Sequence, residues 1–288
     1  MSTVSIETEV ESHYTLVAAP KPRPSDKAIR DMMAEYYDAL SRDFDEVNSE
    51  QSFGLYLNAI NELVAARLNQ IEPLATVLSV GSGTGAREVS IRNTSNREFD
   101  FVCVDASKKM CALAKARGLK TVHASFLEFE VEPHSFDAAI FLNAFEVLAS
   151  DEERLACLRK IGTGLRAGGI LFIDAMDIEN KKDAWAERVK DQYHKETLSD
   201  WGYTLGDCFC RRSDQNLTVF AHYSSLNEME RLLTLSGFRT LERLYLAEDS
   251  GAECQAGEGH LFFIAEACGS QQASAESADS VDQLIQLN

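Results

Sequence analysis

Apolar residues form short uninterrupted runs through the middle of the chain, separated by segments with helical spacing. The runs predict strands at residues 75–80, 99–105, 119–125, 136–142 and 168–175. The intervening segments predict helices at 86–93, 107–117 and 150–165, where apolar positions recur every three or four residues. Because the strands lack polar alternation, helices should cover both faces of the sheet. The pattern predicts a doubly wound α/β fold with a mostly parallel sheet.

The regions flanking this core predict further elements. Two amphipathic helices precede it, at 25–47 and 55–71. After it come a helix at 183–198, two alternating strands around the turn at 213–216, a helix at 225–238 and strands at 240–248 and 259–267. The last two strands are joined by too few residues for a crossover helix, so the final strand should run antiparallel to its neighbour. The expected sheet has seven strands, and residues 178–223 are expected to form a helix and hairpin lid.

The chain ends differ in composition from the rest. Three of the five prolines fall within residues 19–24, so residues 1–24 are expected to form a flexible arm. Residues 269–288 are rich in Ser, Ala, Gln and Asp and are expected to be a disordered tail. A single domain is therefore predicted over 25–268.

Charge and cysteine content narrow the class of partner. The formal net charge of -18 disfavours binding to nucleic acid or to acidic membranes. No apolar run is long enough to span a bilayer and the N-terminus carries no secretory signal, so a cytoplasmic location is expected. The seven cysteines are expected to be reduced. Cys208 and Cys210 should share one face of a strand, but no matching pair nearby predicts a metal site.

A glycine-rich turn follows the first core strand, in the stretch VLSVGSGTGAREVS at 77–90. Glycines allow backbone to approach a ligand closely and leave N–H groups free at the start of the next helix. Gly81, Gly83 and Ala86 fit the fingerprint of a nicotinamide dinucleotide site. Gly81, Gly83 and Gly85 spell the pattern common at S-adenosylmethionine sites. The turn alone leaves both cofactors open.

An acidic residue ends the second core strand. Asp105 lies 24 residues after Gly81, where a carboxylate can accept hydrogen bonds from both ribose hydroxyls. It serves either cofactor, and capping of the following helix is the structural alternative. Met110, Ser125 and Phe126 occupy positions expected beside an adenine, although each could equally be packing or loop.

Several later stretches resemble the class I S-adenosylmethionine-dependent methyltransferases that act on small molecules. They are SFDAAIFLNAFEVL, LRAGGILFIDAMD and GFRTLERL, together with the antiparallel ending. The resemblance spans about residues 30–268 and implies a Rossmann-like methyltransferase fold that uses S-adenosyl-L-methionine. It implies that the glycine turn contacts the methionine portion, that Asp105 binds the ribose, that Asn143 helps place the sulfonium, and that Ser125 and Phe126 flank the adenine.

Two positions depart from the family pattern. Ser79 stands where the family commonly has an acidic residue, two positions before the first glycine. Ser125 stands where an acid often follows the third strand. Because Asp105 is retained, cofactor binding is still expected.

The methyl acceptor is expected to lie among the N-terminal helix, the ends of the fourth and fifth strands, and the lid. Acidic residues crowd this edge of the sheet: Glu146, Asp174, Asp177, Glu248, Asp249, Glu253 and Glu258. They favour an amine acceptor, although solvated loop carboxylates are the alternative.

The candidate catalytic residues are His222, Tyr223 and Glu146. The expected function is methyl transfer to a small molecule, with N-methylation favoured. O-methylation of a phenol or carboxylate, a nicotinamide-dependent oxidoreductase and a noncatalytic S-adenosylmethionine-binding regulator stay open, as does a homodimer.

Overall fold

The computed structural model describes residues 14–49, 51–71, 76–212 and 217–268. The helices are α1 (Asp26–Leu40), α2 (Phe44–Ser49), α3 (Gln51–Leu68), α4 (Ala86–Thr94), α5 (Lys108–Ala116), α6 (Asp151–Gly164), α7 (Ala184–Lys195) and α8 (Leu226–Leu235). The strands are β1 (Tyr14–Val17), β2 (Thr76–Val80), β3 (Asp100–Asp105), β4 (Lys120–His123), β5 (Phe136–Phe141), β6 (Leu165–Ala175), β7 (Asp207–Arg212), β8 (Leu217–His222), β9 (Phe238–Leu246) and β10 (His260–Ala267). Two short 3₁₀ helices lie at Phe145–Val147 and Leu198–Trp201.

Seven of these strands form the central sheet, in the order β4-β3-β2-β5-β6-β10-β9. The strands from β2 to β6 pair in parallel, whereas β10 is antiparallel to both β6 and β9. The predicted seven-stranded, mostly parallel sheet with an antiparallel last strand is confirmed. The chain leaves β2 towards β4 on one side and returns to β5 on the other. The carboxyl ends of β2 and β5 therefore flank the point where strand order reverses, which is where open α/β sheets bind ligands.

Helices cover both faces of this sheet, as the apolar strands require. Val77 and Leu78 are neighbours on β2 that point to opposite faces, and both are fully buried. Leu78 packs into a core with residues of α6 and α8, whereas Val77 packs into a core with residues of α3, α4 and α5. Each such side chain contributes about 1.5–3 kcal/mol on burial, so the alternation stabilises both layers.

A second, three-stranded sheet lies outside the central one, in the order β1-β7-β8 with antiparallel pairing. Strands β7 and β8 form the predicted hairpin, whose turn at 213–216 lies outside the described residues. Helix α1 packs against this sheet through Met33 and Tyr36, which share a core with Phe209 and Phe220. Cys208 and Cys210 share the opposite face of β7, so the prediction that they lie on one face is confirmed.

The flexible arm predicted for residues 1–24 needs correction. Residues 14–17 form strand β1, which pairs with β7, and Pro20 accepts a hydrogen bond through its carbonyl from the Tyr203 hydroxyl at 2.7 Å. The reason is tertiary: the open edge of β7 offers unpaired backbone groups that β1 satisfies. Residues 1–13 and the predicted tail at 269–288 lie outside the described part of the chain.

The first amphipathic helix is interrupted. The sequence predicts one helix over 25–47, but α1 ends at Leu40 and α2 begins at Phe44. The Ser41 hydroxyl donates to the Asp38 carbonyl at 2.9 Å, a local side-chain bond that competes with continued helix. In the described part of the chain, no helix combines the length and apolarity needed to cross a bilayer.

Candidate functional site

The glycine turn joins β2 to α4 at the reversal point. Gly81, Gly83 and Gly85 all have positive φ, at 65°, 56° and 77°. Residues with a Cβ rarely adopt this backbone, which explains why the sequence places glycine at every second position. The Gly81 N–H donates to the Val104 carbonyl at 2.8 Å, and this bond holds the turn against the end of β3.

The three glycines differ in what surrounds them. A Cβ on Gly81 would lie 2.5 Å from the Cβ of Ala144, and one on Gly85 would lie 2.3 Å from Leu119. A Cβ on Gly83 would meet only the Phe44 ring, at 3.8 Å. Gly81 and Gly83 line cavities beside the turn, but Gly85 lines neither. The crowding at Gly85 lets α4 pack closely against α5 and Leu119, and contact of Gly85 with a ligand stays a prediction.

Replacing Gly85 with alanine is expected to destabilise the protein more than the same change at Gly118. Both residues have positive φ, at 77° and 81°, so each substitution costs about 1–2 kcal/mol in backbone strain. Only Gly85 is crowded, and overpacking there adds about 1–3 kcal/mol. Urea unfolding of the two variants measures the difference. Equal losses would show that close packing at Gly85 has no energetic consequence.

Asp105 links the glycine turn to helix α5. Its Oδ2 accepts from the Gly83 N–H at 2.8 Å, and its Oδ1 accepts from the Ser107 N–H at 2.8 Å. Asp105 therefore does bind the start of helix α5, as the helix-capping alternative predicts. Ser107 is the residue that caps the helix, because its side chain accepts from the Met110 N–H. Burial raises the pKa of Asp105, and the two N–H donors partly offset that rise. Each carboxylate oxygen retains a lone pair for a further donor.

A cavity of about 470 Å³ opens beside Asp105, and we call it the larger cavity. It lies over the carboxyl ends of β2, β3 and β5 and beneath α1. Its walls include every cofactor-binding residue predicted from the sequence except Gly85: Gly81, Gly83, Asp105, Met110, Ser125, Phe126 and Asn143. Tyr37 and Phe44 close it from the N-terminal side.

A second cavity of about 260 Å³, the smaller cavity, shares Gly81, Gly83, Phe44 and Asn143 with the larger one. It lies between α3 and α4, and its lining residues include the polar Asn58, Asn61 and Ser90. Arg87 lines it, with its guanidinium donating to Asn61 Oδ1 at 3.0 Å and to Asn143 Oδ1 at 2.5 Å. The glycine turn therefore borders two adjoining spaces.

Asn143 lies between the smaller cavity and a partly buried acidic cluster. Its φ is 53°, a strained conformation that asparagine tolerates better than most residues. Its N–H donates to Asp174 Oδ1 at 2.7 Å, while its side-chain oxygen accepts from Arg87. Such strain concentrates at functional sites. The hydrogen bonds on both sides hold Asn143 in this position.

The acidic cluster consists of Glu146, Asp174, Tyr56, His260 and Glu248. Burial and the charge of Asp174 raise the pKa of Glu146 to about 7. Burial also raises the pKa of Asp174, which is 2% exposed and accepts from the Tyr56 hydroxyl at 3.5 Å. The Tyr56 ring packs against His260, with centroids 5.0 Å apart. Glu146 thus titrates near neutrality, as a general base requires.

Several other acids of the predicted rim already have partners. Asp177 is buried and accepts from the Glu179 N–H at 2.9 Å, and Glu258 pairs with Lys182 at 2.8 Å. Glu248 lies 3.9 Å from His260. The rim is therefore less available to a ligand than its composition indicates.

His222 lies in a buried charge network, away from both cavities. Its Nδ1 is 2.8 Å from Asp207 Oδ1, and its Nε2 is 3.0 Å from Glu228 Oε1. Arg154, fully buried, lies 3.8 Å from Asp207 and 3.6 Å from Glu228. Burial and Arg154 lower the pKa of His222, but the hydrogen bonds to both carboxylates outweigh them and raise it. This network joins the hairpin to α6 and α8, which favours a structural role for His222, and its role as a catalytic base stays a prediction.

Tyr223 is also buried and lines neither cavity. Burial and the charge of Asp183 raise the pKa of its phenol, which opposes any role as a proton acceptor. A structural role for Tyr223 is therefore favoured, and its catalytic role stays a prediction. Glu146 is the one predicted catalytic residue that adjoins the site: it follows Asn143 and Ala144, and precedes Val147, all of which line the larger cavity.

Replacing His222 with glutamine is expected to destabilise the protein more at about pH 6 than at about pH 9. A raised pKa means that protonated His222 stabilises the fold below its ordinary pKa of about 6.5, and that this contribution is lost as pH rises through the folded-state value. Hydrogen bonds to charged groups contribute about 1.5–3 kcal/mol. Urea unfolding at both pH values tests this, with the exposed His194→Gln as a control expected within about 0.5 kcal/mol of wild type. An equal loss at both values would contradict a charged His222.

Sequence reasoning missed two residues near the glycine turn. Arg87 lies in the first turn of α4, where the helix dipole disfavours a cation. This unfavourable position could have identified Arg87 as an unusual residue from the sequence. Glu88 is fully buried and accepts from the Ser79 hydroxyl at 2.5 Å. A carboxyl group therefore does lie beside Ser79, but it comes from α4 and not from the strand. An acid on the same buried helix face as Ile91 was the available signal.

Comparison with known proteins agrees with this geometry. Residues 77–169 match the family model of a methyltransferase domain. A carboxy-S-adenosyl-L-methionine synthase from Geobacter sp. (strain M21) is 27% identical over 196 residues, covering 62% of this chain and 77% of that protein. A cypemycin N-terminal methyltransferase from Streptomyces is 24% identical over 187 residues, covering 62% of this chain and 74% of that protein.

A solved structure from Burkholderia thailandensis is also similar, with a TM-score of 0.61 at 14% identity over 90% of this chain and 97% of that one. It is a 1,6-didemethyltoxoflavin-N1-methyltransferase with bound 1,6-didemethyltoxoflavin and S-adenosylhomocysteine. The sheet order, the antiparallel β10 and the matched domain define a class I methyltransferase fold. These similarities support an S-adenosylmethionine-dependent methyltransferase with this fold. The dinucleotide alternative for Gly81, Gly83 and Ala86 is not retained.

Proposed function

We propose that this methyltransferase transfers the methyl group of S-adenosylmethionine to an amine nitrogen of a small molecule. The observation that carries the proposal is Glu146, a carboxyl group with a pKa raised to about 7 at the carboxyl end of β5. It adjoins the larger cavity, which meets the smaller one at Gly81, Gly83 and Asn143.

The residues of the larger cavity fit the adenosine half of the donor. Asp105 has lone pairs left for ribose hydroxyls, and Met110 and Phe126 offer apolar surface for an adenine. Gly83 presents backbone without a side chain to the same space. Ser125 adds one hydroxyl beside Phe126. In this proposal Asn143 stands where the donor's methionine portion would begin.

Glu146 would perform two tasks for an amine acceptor. Its negative charge attracts the ammonium form, and near neutral pH it can accept the proton that the nitrogen must lose. S-adenosylmethionine supplies an activated methyl group with its own leaving group, so the chain mainly has to align the two reactants. Asp174 contributes by raising the pKa of Glu146 into the working range.

Two of the similar proteins support an amine. The Streptomyces relative is named an N-terminal methyltransferase, and the Burkholderia structure is an N1-methyltransferase. Both names describe methylation of nitrogen. Nitrogen methylation agrees with the acidic cluster, because negative side chains near the proposed acceptor site attract a cationic amine and repel a phenolate or carboxylate.

A screen with labelled S-adenosylmethionine tests the proposal, using panels of amines, phenols, carboxylic acids and peptides. Label is expected on amines, and transfer only to phenols or carboxylates would contradict it. Because one relative is named a carboxy-S-adenosyl-L-methionine synthase, mass spectrometry should also follow the donor. A donor that gains a carboxyl group, with no methylated amine, would also contradict the proposal.

A further inference from the structure

Glu146 lies on a short segment that has little regular structure of its own. Residues 144–149 join β5 to α6 and include a single 3₁₀ turn, Phe145–Val147. Within this segment the Leu148 N–H donates to the Phe145 carbonyl at 3.2 Å. A 3₁₀ turn has poorer hydrogen-bond geometry than an α-helix, so it needs contacts from other elements to keep one position. The position of Glu146 therefore depends on what binds this segment from outside.

Arg154 binds the segment from the side of α6. Its side chain is fully buried, and its guanidinium donates to the Leu148 carbonyl at 3.0 Å. The same guanidinium lies 3.8 Å from Asp207 on β7 and 3.6 Å from Glu228 on α8. The two carboxylates orient the guanidinium, and the guanidinium holds the carbonyl. One side chain thus connects the β7–β8 hairpin and α8 to the segment.

Arg23 binds the same segment from the N-terminal side. Its guanidinium donates to the Ala149 carbonyl at 2.5 Å and to Asp26 Oδ1 at 2.8 Å. It also lies over the Tyr203 ring, 5.8 Å from the ring centroid. The consecutive carbonyls of Leu148 and Ala149 therefore accept from two guanidinium groups that come from different parts of the chain.

The cost of burying these two arginines argues that they do more than stabilise the fold. Within the described part of the chain, the Nε–H groups of Arg23 and Arg154 are buried without a hydrogen-bond partner. Buried donors of this kind are unfavourable, and a buried ion network often stabilises less than apolar residues of the same volume. The best-attested use of such a network is to fix one arrangement of the elements around it.

We infer that Arg154 and Arg23 are positioning residues for Glu146. They hold the carbonyls of Leu148 and Ala149, and so keep the Glu146 carboxyl group at the edge of the larger cavity. The inference rests on the proposed function, in which Glu146 accepts a proton from the amine. Neither arginine lines the larger or the smaller cavity. A base must lie within hydrogen-bond reach of its proton, and a displacement of about 1 Å can lower a rate about 10²-fold.

Hydrogen exchange followed by mass spectrometry tests whether the arginines hold the segment. In Arg23→Gln, peptides that cover residues 144–149 should exchange about 10-fold faster than in wild type, because a hydrogen bond from a charged donor is lost. Peptides from β2 and β3 should exchange at the wild-type rate. Arg159→Gln, at an exposed position of α6, is the control and should leave the segment unchanged. Equal exchange of the segment in both variants would overturn the inference.

A double-mutant cycle tests whether the segment positions Glu146. The kcat at saturating donor and amine is measured for Arg23→Gln, for Arg154→Lys, and for each combined with Glu146→Gln. Each single arginine change should lower kcat about 10–100-fold. In the Glu146→Gln background the further loss should be about twofold or less, because no base remains to be displaced. Equal losses in both backgrounds would show that the arginines act on something other than Glu146.

Two further measurements separate positioning from a loss of folding. In Arg23→Gln the dissociation constant of S-adenosylhomocysteine should stay within about twofold of wild type. Arg23→Lys should recover part of kcat, because lysine keeps one charged donor for the Ala149 carbonyl. Where Arg154→Lys fails to fold, as judged by circular dichroism, Arg23→Gln decides the outcome. The Arg23 side chain is 15% exposed and lies nearer the surface than Arg154.

Failure of the proposed function gives a different result. In that case Glu146→Gln keeps the wild-type rate with an amine, or no amine is labelled, while exchange of residues 144–149 still responds to Arg23→Gln. The arginines would then hold the segment without positioning a base, and their assignment to Glu146 would be wrong.

Discussion

Replacing Asp105 with alanine is expected to weaken S-adenosylmethionine binding by about 10²–10⁴-fold. Two ribose hydroxyls donating to a carboxylate contribute about 1.5–3 kcal/mol each, and 1.4 kcal/mol corresponds to tenfold in affinity. The same change removes the acceptor for the Gly83 N–H, so the glycine turn also loses one of its hydrogen bonds to the end of β3. Titration calorimetry with S-adenosylmethionine measures the effect.

The matched control is Asp100→Ala. Asp100 lies on the same strand, at its opposite end, and is exposed. Its replacement should leave the dissociation constant within about twofold of wild type, as expected for a surface change. If Asp105→Ala bound the donor as tightly as Asp100→Ala, the assignment of Asp105 to the ribose would be wrong.

Replacing Glu146 with glutamine is expected to lower kcat with an amine acceptor by about 10²–10⁴-fold, the usual contribution of a general base. Glu146 must be ionised to accept a proton, and its pKa is about 7. The wild-type rate should therefore rise with pH through about 7 and then level off. Glu146→Gln should lack this rise. Discontinuous assays of labelled methyl transfer across the pH range measure both the fall in kcat and the loss of the pH-dependent rise.

Glu146→Gln is expected to lower the rate without lowering the free energy of unfolding of the unliganded protein. The two measurements together distinguish loss of a catalytic group from loss of folded structure. A carboxyl group whose pKa is raised on folding stabilises the fold below its ordinary pKa of 4.5, and that contribution is lost as pH rises through about 7. Above that pH, Glu146→Gln should unfold at a urea concentration equal to or higher than wild type. Glu152→Gln, at an exposed position in α6, should change neither rate nor stability. A slow variant that is also less stable would contradict the assignment.

Most of the fold could be predicted because its signals are local. The apolar runs from 75 to 175 correspond to β2 through β6, and the short joint after β9 determined that β10 is antiparallel. The prediction failed where tertiary contact overrides composition. Residues 14–17 lie near a proline-rich stretch, yet they form β1 because β7 has an open edge.

The candidate site was predictable to a similar extent. Asp105, Met110, Phe126 and Asn143 come from strand ends, which meet at one edge of a parallel sheet, and all four line the larger cavity. His222 was not assignable from sequence, because its partners Asp207 and Glu228 come from separate elements. A histidine at a strand end has the same sequence signature whether it faces a cavity or a buried carboxylate.

The sequence by itself determined the order of strands and helices, the glycine turn and the acid that ends β3. These depend on backbone preference and hydrophobic periodicity, which act over a few residues. Only the tertiary structure decided which glycines line a cavity, which acid has a pKa near neutrality and which side chains surround Arg87. Gly85, Glu146 and Arg87 each owe their role to residues distant along the chain. Packing, burial and charge at such positions arise only when the sheet and helices bring those residues together.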